Sequence, residues 1–332
     1  MRVIRAWMDD LLNKTVIFGY DRIGYSVRKK LWSENERQVS MKDKVCLVTG
    51  ANSGLGKVTS HHLAKLGATV FLICRNQNSG ETTQRQIIQS TGNPNVFLEI
   101  VDMSEPRQIK EFAVRFRSYK TGLDRLINNA GVLLNQRQTN SEAIEMTFAT
   151  NTMGYFLMTN LMIPHLLQSK GGRIVNVSSG GMYGAALQLA DPLFKKRIYN
   201  GVKAYAESKR AEVVLSKIWA NQLKEKIFVA SMHPGWADTV GIQNSLPTFR
   251  KITHSILRTP EQGADTIIWL TVNPNLEMRE SGLFWFDRKP RPTHRSSRTH
   301  HNLHEAQDLW KLCSELSQCN GTFPVIQNQS PI

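Results

Sequence analysis

The chain has 332 residues, 41% hydrophobic and 21% charged, so it can bury a sizeable core as one large or two modest domains. Lys+Arg 42 against Asp+Glu 27 leave a net charge of +15, which favours anionic partners without choosing among phosphorylated cofactors, nucleic acid and an acidic membrane. The four cysteines, Cys46, Cys74, Cys313 and Cys319, form no C-x-x-C pair, and no apolar run reaches about 18 residues, so the sequence gives no sign of a zinc site, a disulfide framework, a spanning helix or a signal peptide, and a reducing, cytoplasmic setting is expected.

Residues 1–40 read as an amphipathic extension. Ile4, Trp7, Met8, Leu11 and Leu12 fall at helical spacing among Arg2, Arg5, Asp9, Asp10 and Lys14, and Arg28, Lys29 and Lys30 cluster before Trp32. Such a segment either lies on an anionic membrane surface through residues 1–30 or packs its apolar stripe on the domain that follows, and Asp9 and Asp10 dilute the basic face enough to keep both readings open.

From Lys44 the pattern changes. Val45, Cys46, Leu47 and Val48 form an apolar run without alternation, as expected of a parallel strand buried on both faces. Gly50, Gly54 and Gly56 follow, with Asn52, Ser53 and Leu55 between them. Glycines there let the backbone turn tightly and approach a ligand, and the helix opening near Leu55 aims its first N–H groups into the turn, which makes a seat for phosphate. The spacing is G-x-x-x-G-x-G behind Thr49 rather than G-x-G-x-x-G, and TGANSGLG resembles the short-chain dehydrogenase/reductase family.

Strand-like runs then recur at 69–74, 96–101, 123–127, 174–177, 228–232 and 283–286, separated by stretches long enough for crossover helices. The alternation predicts an α/β fold, a doubly wound parallel sheet whose ligands sit beyond the carboxyl ends of the strands. The family resemblance implies that this is a Rossmann-like dinucleotide-binding and catalytic domain, placed at 41–290, with a basic linker and a short C-terminal helix in 291–332.

Arg75 follows the second strand, where an acid would bind the free ribose hydroxyls of NAD(H) and an arginine suits a 2′-phosphate, so NADP(H) is favoured over NAD(H). Asp102, after the third strand, matches the family's aspartate near the adenine, and it also reads as a cap for the helix that follows Ser104. Asn129, Ala130 and Gly131, after Asn128, resemble the family's NNAG turn beside the cofactor ribose. Asn151 matches the asparagine that, in the family, supports a water-linked proton path through the catalytic lysine.

The chemistry is expected in RIVNVSSGG and YAESK. Tyr205 and Lys209 are four apart on a helical pattern, so they share a face, and an ammonium near a phenol favours phenolate. Reduction of a carbonyl leaves negative charge on oxygen that needs a positioned donor and then a proton. Tyr205 is expected to supply the proton, and a hydroxyl of Ser178 or Ser179 to hold the oxygen. The resemblance selects Ser179 and implies that Lys209 also bonds the cofactor ribose. Pro234, Gly235 and Thr239 match the family's PG…T segment at the nicotinamide. SMHPGWADT, SSGGM, QGADT and FDRKP are more particular, and resemble a narrower group within the family over roughly residues 3–319.

Segments 180–202 and 236–257 would flank the substrate mouth, the second as a lid with Trp236, Ile242, Leu246 and Phe249 beside Arg250 and Lys251. The tail from Arg288 carries Arg291, Arg295 and Arg298 with His294, His300, His301 and His304, and reads as a flexible basic linker rather than a metal site, ahead of a helix over 303–316. The sequence thus points to an NADP(H)-preferring oxidoreductase acting on a carbonyl or alcohol of a small lipophilic molecule. The alternative is a non-catalytic protein using the same fold to sense dinucleotide or to sit on a membrane. Nucleic acid is not an expected partner, because no stacking aromatics interleave with the basic clusters. A homo-oligomer is compatible with all of this.

Overall fold

A computed structural model of the chain describes Asp9, residues 19–30, Trp32, 39–245 and 247–319. Ile4, Trp7, Met8, Leu11, Leu12 and the side chains of Ile242, Leu246 and Phe249 lie outside what is described.

The described chain enters through α1 (Arg22–Lys29), capped by Asp21, whose carboxylate accepts from the Gly24 N–H at 2.8 Å. β1 (Val45–Thr49), α2 (Gly54–Lys65), β2 (Thr69–Cys74), α3 (Gln77–Thr91), β3 (Val96–Ile100) and α4 (Pro106–Ser118) carry it to one edge of the sheet, and β4 (Arg125–Asn128) returns beside β1. A π-helical turn, Ala149–Met153, leads into α5 (Gly154–Leu166), followed by β5 (Gly172–Val177), α6 (Gly201–Gln222) and β6 (Ile227–His233). Then come α7 (Val240–Ser245), α8 (Pro247–Thr253), α9 (Pro260–Val272), β7 (Phe284–Phe286), β8 (Lys289–Arg291) and α10 (Leu303–Ser317).

Among the described residues the sheet has eight strands in the order β3-β2-β1-β4-β5-β6-β7-β8, all parallel except β8, which pairs antiparallel with β7. Side chains alternate across it with the period of two that a strand imposes. Leu47, Phe71, Leu126, Ile174 and Val229 face α4, α5, α6 and α10, whereas Cys46, Val48, Val70, Leu72, Ile127, Val175 and Ala230 face α2 and α9. Both faces being covered explains the unbroken apolar runs. The order reverses at β1, which lies between β2 and β4, and the glycine turn sits at that switch point, where such sheets bind ligands.

The stretch after Arg288, expected as a loose linker, is built into the domain. Its first residues form β8, the Arg295 guanidinium lies over the rings of Tyr20 and Tyr183 at 5.6 and 4.5 Å, and the Tyr183 hydroxyl donates to the Pro292 carbonyl at 2.7 Å. The helix that follows is capped reciprocally by Asn302 and Glu305, and packs Trp310 edge-on against Phe156.

The part of the N-terminal extension that is described packs on the domain. Arg28 is buried and donates to Asp9 at 2.9 Å, to the Gly19 carbonyl at 2.7 Å and to Asp287 at 2.8 Å. Asp287 also receives both ends of the Arg258 guanidinium at 2.6 and 2.8 Å, while Asp9 gathers Lys289 and Arg291 from β8. Burial opposes ionisation of Asp9 and Asp287, but their arginine partners outweigh it and hold both carboxyls below the usual range. Among the described residues, no helix is long and apolar enough to cross a membrane.

Asp287→Asn keeps the shape and removes the charge, leaving two buried guanidiniums without their shared counter-ion. It should destabilise the protein by roughly 3–5 kcal/mol, read from urea unfolding. A depressed carboxyl contributes stability that is present above its unfolded pKa of about 3.9 and lost as pH falls below it. The wild type should therefore lose stability on the acid side more steeply than the variant.

Candidate active site

The glycine turn is set by packing as much as by any ligand. Gly50 and Gly54 have φ of 65° and 49°, in the left-handed region. A Cβ on Gly50 would stand 2.9 Å from the Ala130 Cα, and one on Gly56 would stand 2.3 Å from the Gly50 carbonyl oxygen. The exit of β1, the loop after β4 and the start of α2 are thereby pressed together. Thr49 joins them, its hydroxyl accepting from the N–H groups of Asn129 and Ala130 at 2.9 and 3.0 Å, while the Asn129 amide donates to the Thr49 carbonyl at 2.9 Å. Ser53 is the N-cap of α2 but makes no side-chain bond to it, so no side-chain cap competes with an anion for the first N–H groups of the helix. Thr239 comes to this turn too, since a Cβ on Gly54 would lie 3.4 Å from its methyl.

At the adenosine end, the Arg75 side chain is 67% exposed and stands 3.9 Å from Asp102. Asp102 has no sequence neighbourhood with Arg75, so the approach of β2 and β3 ends is what brings the acid near. Its other oxygen accepts from the Ser104 N–H and hydroxyl at 2.9 and 2.7 Å, so it also braces the turn into α4. Asn52 ties the glycine turn to α3 through the Ser79 hydroxyl at 2.9 Å. Lys57 donates to Gln86 at 2.7 Å and is drawn along α3 rather than back to the turn.

Asn151 lies in the π-helical turn. Its oxygen accepts from the Val132 N–H at 2.8 Å, and its amide donates to the Val132 carbonyl and to the Ser208 hydroxyl, each at 3.0 Å. The site's two serines separate cleanly. The Ser178 hydroxyl is buried and donates to the Lys209 carbonyl at 2.8 Å, whereas Ser179 is half-buried and caps a short 3-10 turn by accepting from Gly181 at 3.2 Å. A Cβ on Gly181 would lie 3.6 Å from the Ser179 hydroxyl and 4.0 Å from Ala206, so the serine turn rests against the helix that carries Tyr205. His233 supports it from β6, its Nδ1 accepting from the Gly180 N–H at 2.9 Å. Burial and the nearby Arg258 keep that imidazole neutral, its pKa pulled down to about 3.

Tyr205 is half-buried on α6, and the Lys209 ammonium lies 5.4 Å from the centroid of its ring and 5.4 Å from that of Tyr155. Lys209 donates to the Val177 carbonyl at 2.9 Å and to Glu212 at 2.8 Å. A Cβ on Gly131 would come within 3.4 Å of the ammonium and 3.5 Å of the Asn151 oxygen. The NNAG turn, Asn151 and Lys209 therefore meet at one point. Gly235, at φ 79°, gives room to Arg258, whose guanidinium would be 2.3 Å from a Cβ there. Parallel pairing of Ala237 with Arg258 closes the base of the segment carrying α7 and α8, and Arg250 of α8 holds Asp238 at 2.8 Å.

Glu212, Thr49, Tyr155 and His233 are absent from the expected set. Glu212 had a readable signal, since three residues along a helix from Lys209 puts it on the same face. Tyr155 and His233 reach the site through strand and helix packing that no local spacing reveals.

A family model described as short chain dehydrogenase matches residues 44–248. Dehydrogenase/reductase SDR family member 12 from Bos taurus is 39% identical over 300 residues, covering 90% of this chain and 94% of that protein. Retinol dehydrogenase 11 from Mus musculus is 34% identical over 242 residues, covering 72% of this chain and 76% of its own. Among solved structures, a short chain dehydrogenase from Shigella flexneri 2a str. 301 complexed with NADP superposes with a TM-score of 0.60 at 25% identity, covering 74% of this chain and 98% of that one. An uncharacterized protein from Mycobacterium Paratuberculosis gives 0.68 at 26% identity, covering 86% and 97%.

Gly56→Ala should cost about 1–3 kcal/mol of stability by overpacking against the Gly50 carbonyl. Urea unfolding reads it, and a variant as stable as the wild type would contradict the packing described for the turn.

Proposed function

The chain belongs to the short-chain dehydrogenase family, and from that premise we propose that it is an NADP(H)-preferring oxidoreductase interconverting a carbonyl and an alcohol on a small lipophilic molecule. The observation that carries the reading is the buried Lys209 ammonium 5.4 Å from the Tyr205 ring, with Asn151 and the Ser179 turn around it.

The residues present fit a dinucleotide. Gly50, Asn52, Ser53, Gly54, Leu55 and Gly56 would hold the pyrophosphate on the N–H groups that Ser53 leaves uncapped. Arg75 would take the 2′-phosphate and Asp102 would flank the adenine. Asn129, Ala130, Gly131 and Lys209 would face the ribose, and Pro234, Gly235 and Thr239 the nicotinamide. Bound there, the nicotinamide supplies or accepts the hydride.

The remaining work belongs to side chains of this chain. In the reducing direction Ser179 holds the carbonyl oxygen and Tyr205 gives it a proton, while the Lys209 ammonium stabilises the phenolate that results. In the oxidising direction the same phenolate takes the proton from the alcohol. Asn151 fixes the loop after β4 against α6 through Val132 and Ser208, keeping Lys209 and the NNAG turn in register. An apolar substrate is supported by Trp236 at the mouth and by the similarity to proteins named retinol dehydrogenases.

Tyr205→Phe should abolish turnover of NADPH against a panel of retinoid, steroid, fatty-aldehyde and quinone carbonyls while leaving NADPH affinity nearly intact. Undiminished turnover would remove Tyr205 as the proton donor. Arg75→Ala should weaken NADPH far more than NADH, because charge-assisted bonds to a 2′-phosphate are each worth roughly 1.5–3 kcal/mol, about tenfold to over a hundredfold in affinity. Fluorescence titration of both cofactors decides it, and a wild type that binds NADH as tightly as NADPH would overturn the preference.

A further inference from the structure

We propose that Glu212 is a positioning residue for the catalytic pair: it fixes the Lys209 ammonium beside Tyr205 and, when ionised, cancels part of the ammonium's field at the tyrosine hydroxyl. The acid strength of the tyrosine is then set by a carboxylate as well as by an ammonium. This rests on the roles given above to Tyr205 and Lys209.

Both members of the pair are buried, Lys209 at 3% exposure and Glu212 at 1%. Of the three donors of the ammonium, one goes to the Val177 carbonyl at 2.9 Å and one to Glu212 at 2.8 Å. With two directions fixed the third is fixed as well, and the ammonium lies beside Gly131, on the side of the NNAG turn. Lysine and glutamate three apart on a helix ordinarily meet in water, where their pairing is worth little. Here they meet against two aromatic rings, with Tyr155 and Tyr205 each 5.4 Å from the ammonium.

The pair is poorly built as a stabilising device alone. The second carboxyl oxygen of Glu212 is buried with no hydrogen-bond partner among the described residues, and so is the Tyr155 hydroxyl. A stabilising buried carboxylate would have both oxygens satisfied. Burial pushes the Glu212 carboxyl well above its usual range, against the opposing pull of Lys209. While Glu212 is protonated the ammonium is uncompensated and favours phenolate at Tyr205, and once Glu212 ionises the pair is neutral and that help is withdrawn.

The titratable groups that face Glu212 are few. Lys209 is on its own helix, Tyr155 comes from α5, and Tyr205 lies beyond the ammonium. From β5, the Val177 carbonyl accepts from Lys209, and the Asn176 amide donates to Ser216, whose hydroxyl donates to the Glu212 backbone carbonyl rather than to its carboxyl. On β6 the titratable side chain on this side of the sheet is the neutral His233. Arg210, next to Lys209 in sequence, is taken up by the carbonyls of Met182, Ala185 and Thr293.

The test reads ionisation directly, in cofactor-free protein, so it needs no turnover. Phenolate absorbance is titrated in wild type and in Glu212→Gln, each against its own Tyr205→Phe counterpart, to isolate Tyr205. Glutamine preserves an acceptor for Lys209 and removes the charge. The Tyr205 midpoint should fall by about one pH unit, about tenfold more phenolate at a given pH. A folded Glu212→Gln protein with an unmoved midpoint overturns the proposal, since a purely structural pair would change stability and leave that midpoint alone. Should Glu212→Gln fail to fold, Glu212→Met, which removes the charge without leaving a polar group to bury, is titrated in the same way against its own Tyr205→Phe counterpart. The Tyr205 midpoint should again fall, and an unmoved midpoint overturns the proposal. If Tyr205→Phe retains turnover, the catalytic reading fails while these titrations still decide the coupling.

Discussion

An ammonium cannot be buried without acceptors, and satisfying that of Lys209 organises the site. The acceptors come from the end of β5, in the Val177 carbonyl, and from the next turn of α6, in Glu212. Both must hold still for the lysine to be in place. Ser178 bonds the Lys209 carbonyl and so pins the helix to the strand end, while Asn151 clamps the loop after β4 through both polar groups of Val132 and reaches Ser208, one residue before the lysine. The π-helical turn suits this role. One such turn inserts a residue into the helical register and redirects a side chain without ending the helix, which is why these turns gather at functional sites.

A second set of charges holds the other wall. β7 and β8 are joined by Asp287 and Arg288, both with positive φ, 49° and 60°. Two left-handed positions are what a two-residue hairpin turn requires, and asparagine and glycine usually fill them. Here an aspartate and an arginine tolerate the strain, of roughly 1–3 kcal/mol each, because both are anchored. Asp287 takes Arg28 and Arg258, and Arg288 grips Asp265 at 2.8 and 2.7 Å. The same ion pairs bring Tyr20 against His233, with centroids 4.5 Å apart, and the Trp236 N–H to the Tyr20 carbonyl at 2.8 Å. Through His233 and Gly180 the N-terminal segment thus touches the backbone that presents Ser179.

How much of this was readable in the sequence depends on how local each cause is. The central parallel strands were legible because burial on both faces leaves unbroken apolar runs, edge strand β3 by its short apolar run despite Glu99 and the exposed Phe97 and Ile100, and the glycine turn because its backbone demands glycine. Tyr205 and Lys209 stood out through helical spacing. β8 was not legible. Its three residues, Lys289, Pro290 and Arg291, are polar or helix-breaking and look like linker, and they form a strand because Asp9, nearly three hundred positions away, collects their charges. Ser178 and Ser179 could not be told apart by spacing. What distinguishes them is that one hydroxyl is consumed by the Lys209 carbonyl and the other is half-buried. Arg75 has no acid beside it along the chain, and only the approach of the β2 and β3 ends brings Asp102 near it.

The acid that does approach Arg75 bears on the cofactor, and its strength decides what it does. At 3.9 Å from Asp102, with the guanidinium 67% exposed, the pair is loose and screened, of a kind worth at most about 1 kcal/mol. Asp102 is also already occupied, its other oxygen taking two bonds from Ser104. The aspartate is therefore fixed by its own turn, and Arg75 is held only weakly toward it. A phosphate offering charge-assisted, bidentate bonds would draw the arginine away at small cost, whereas ribose hydroxyls would have to compete with that pair for an arginine that has little to give them.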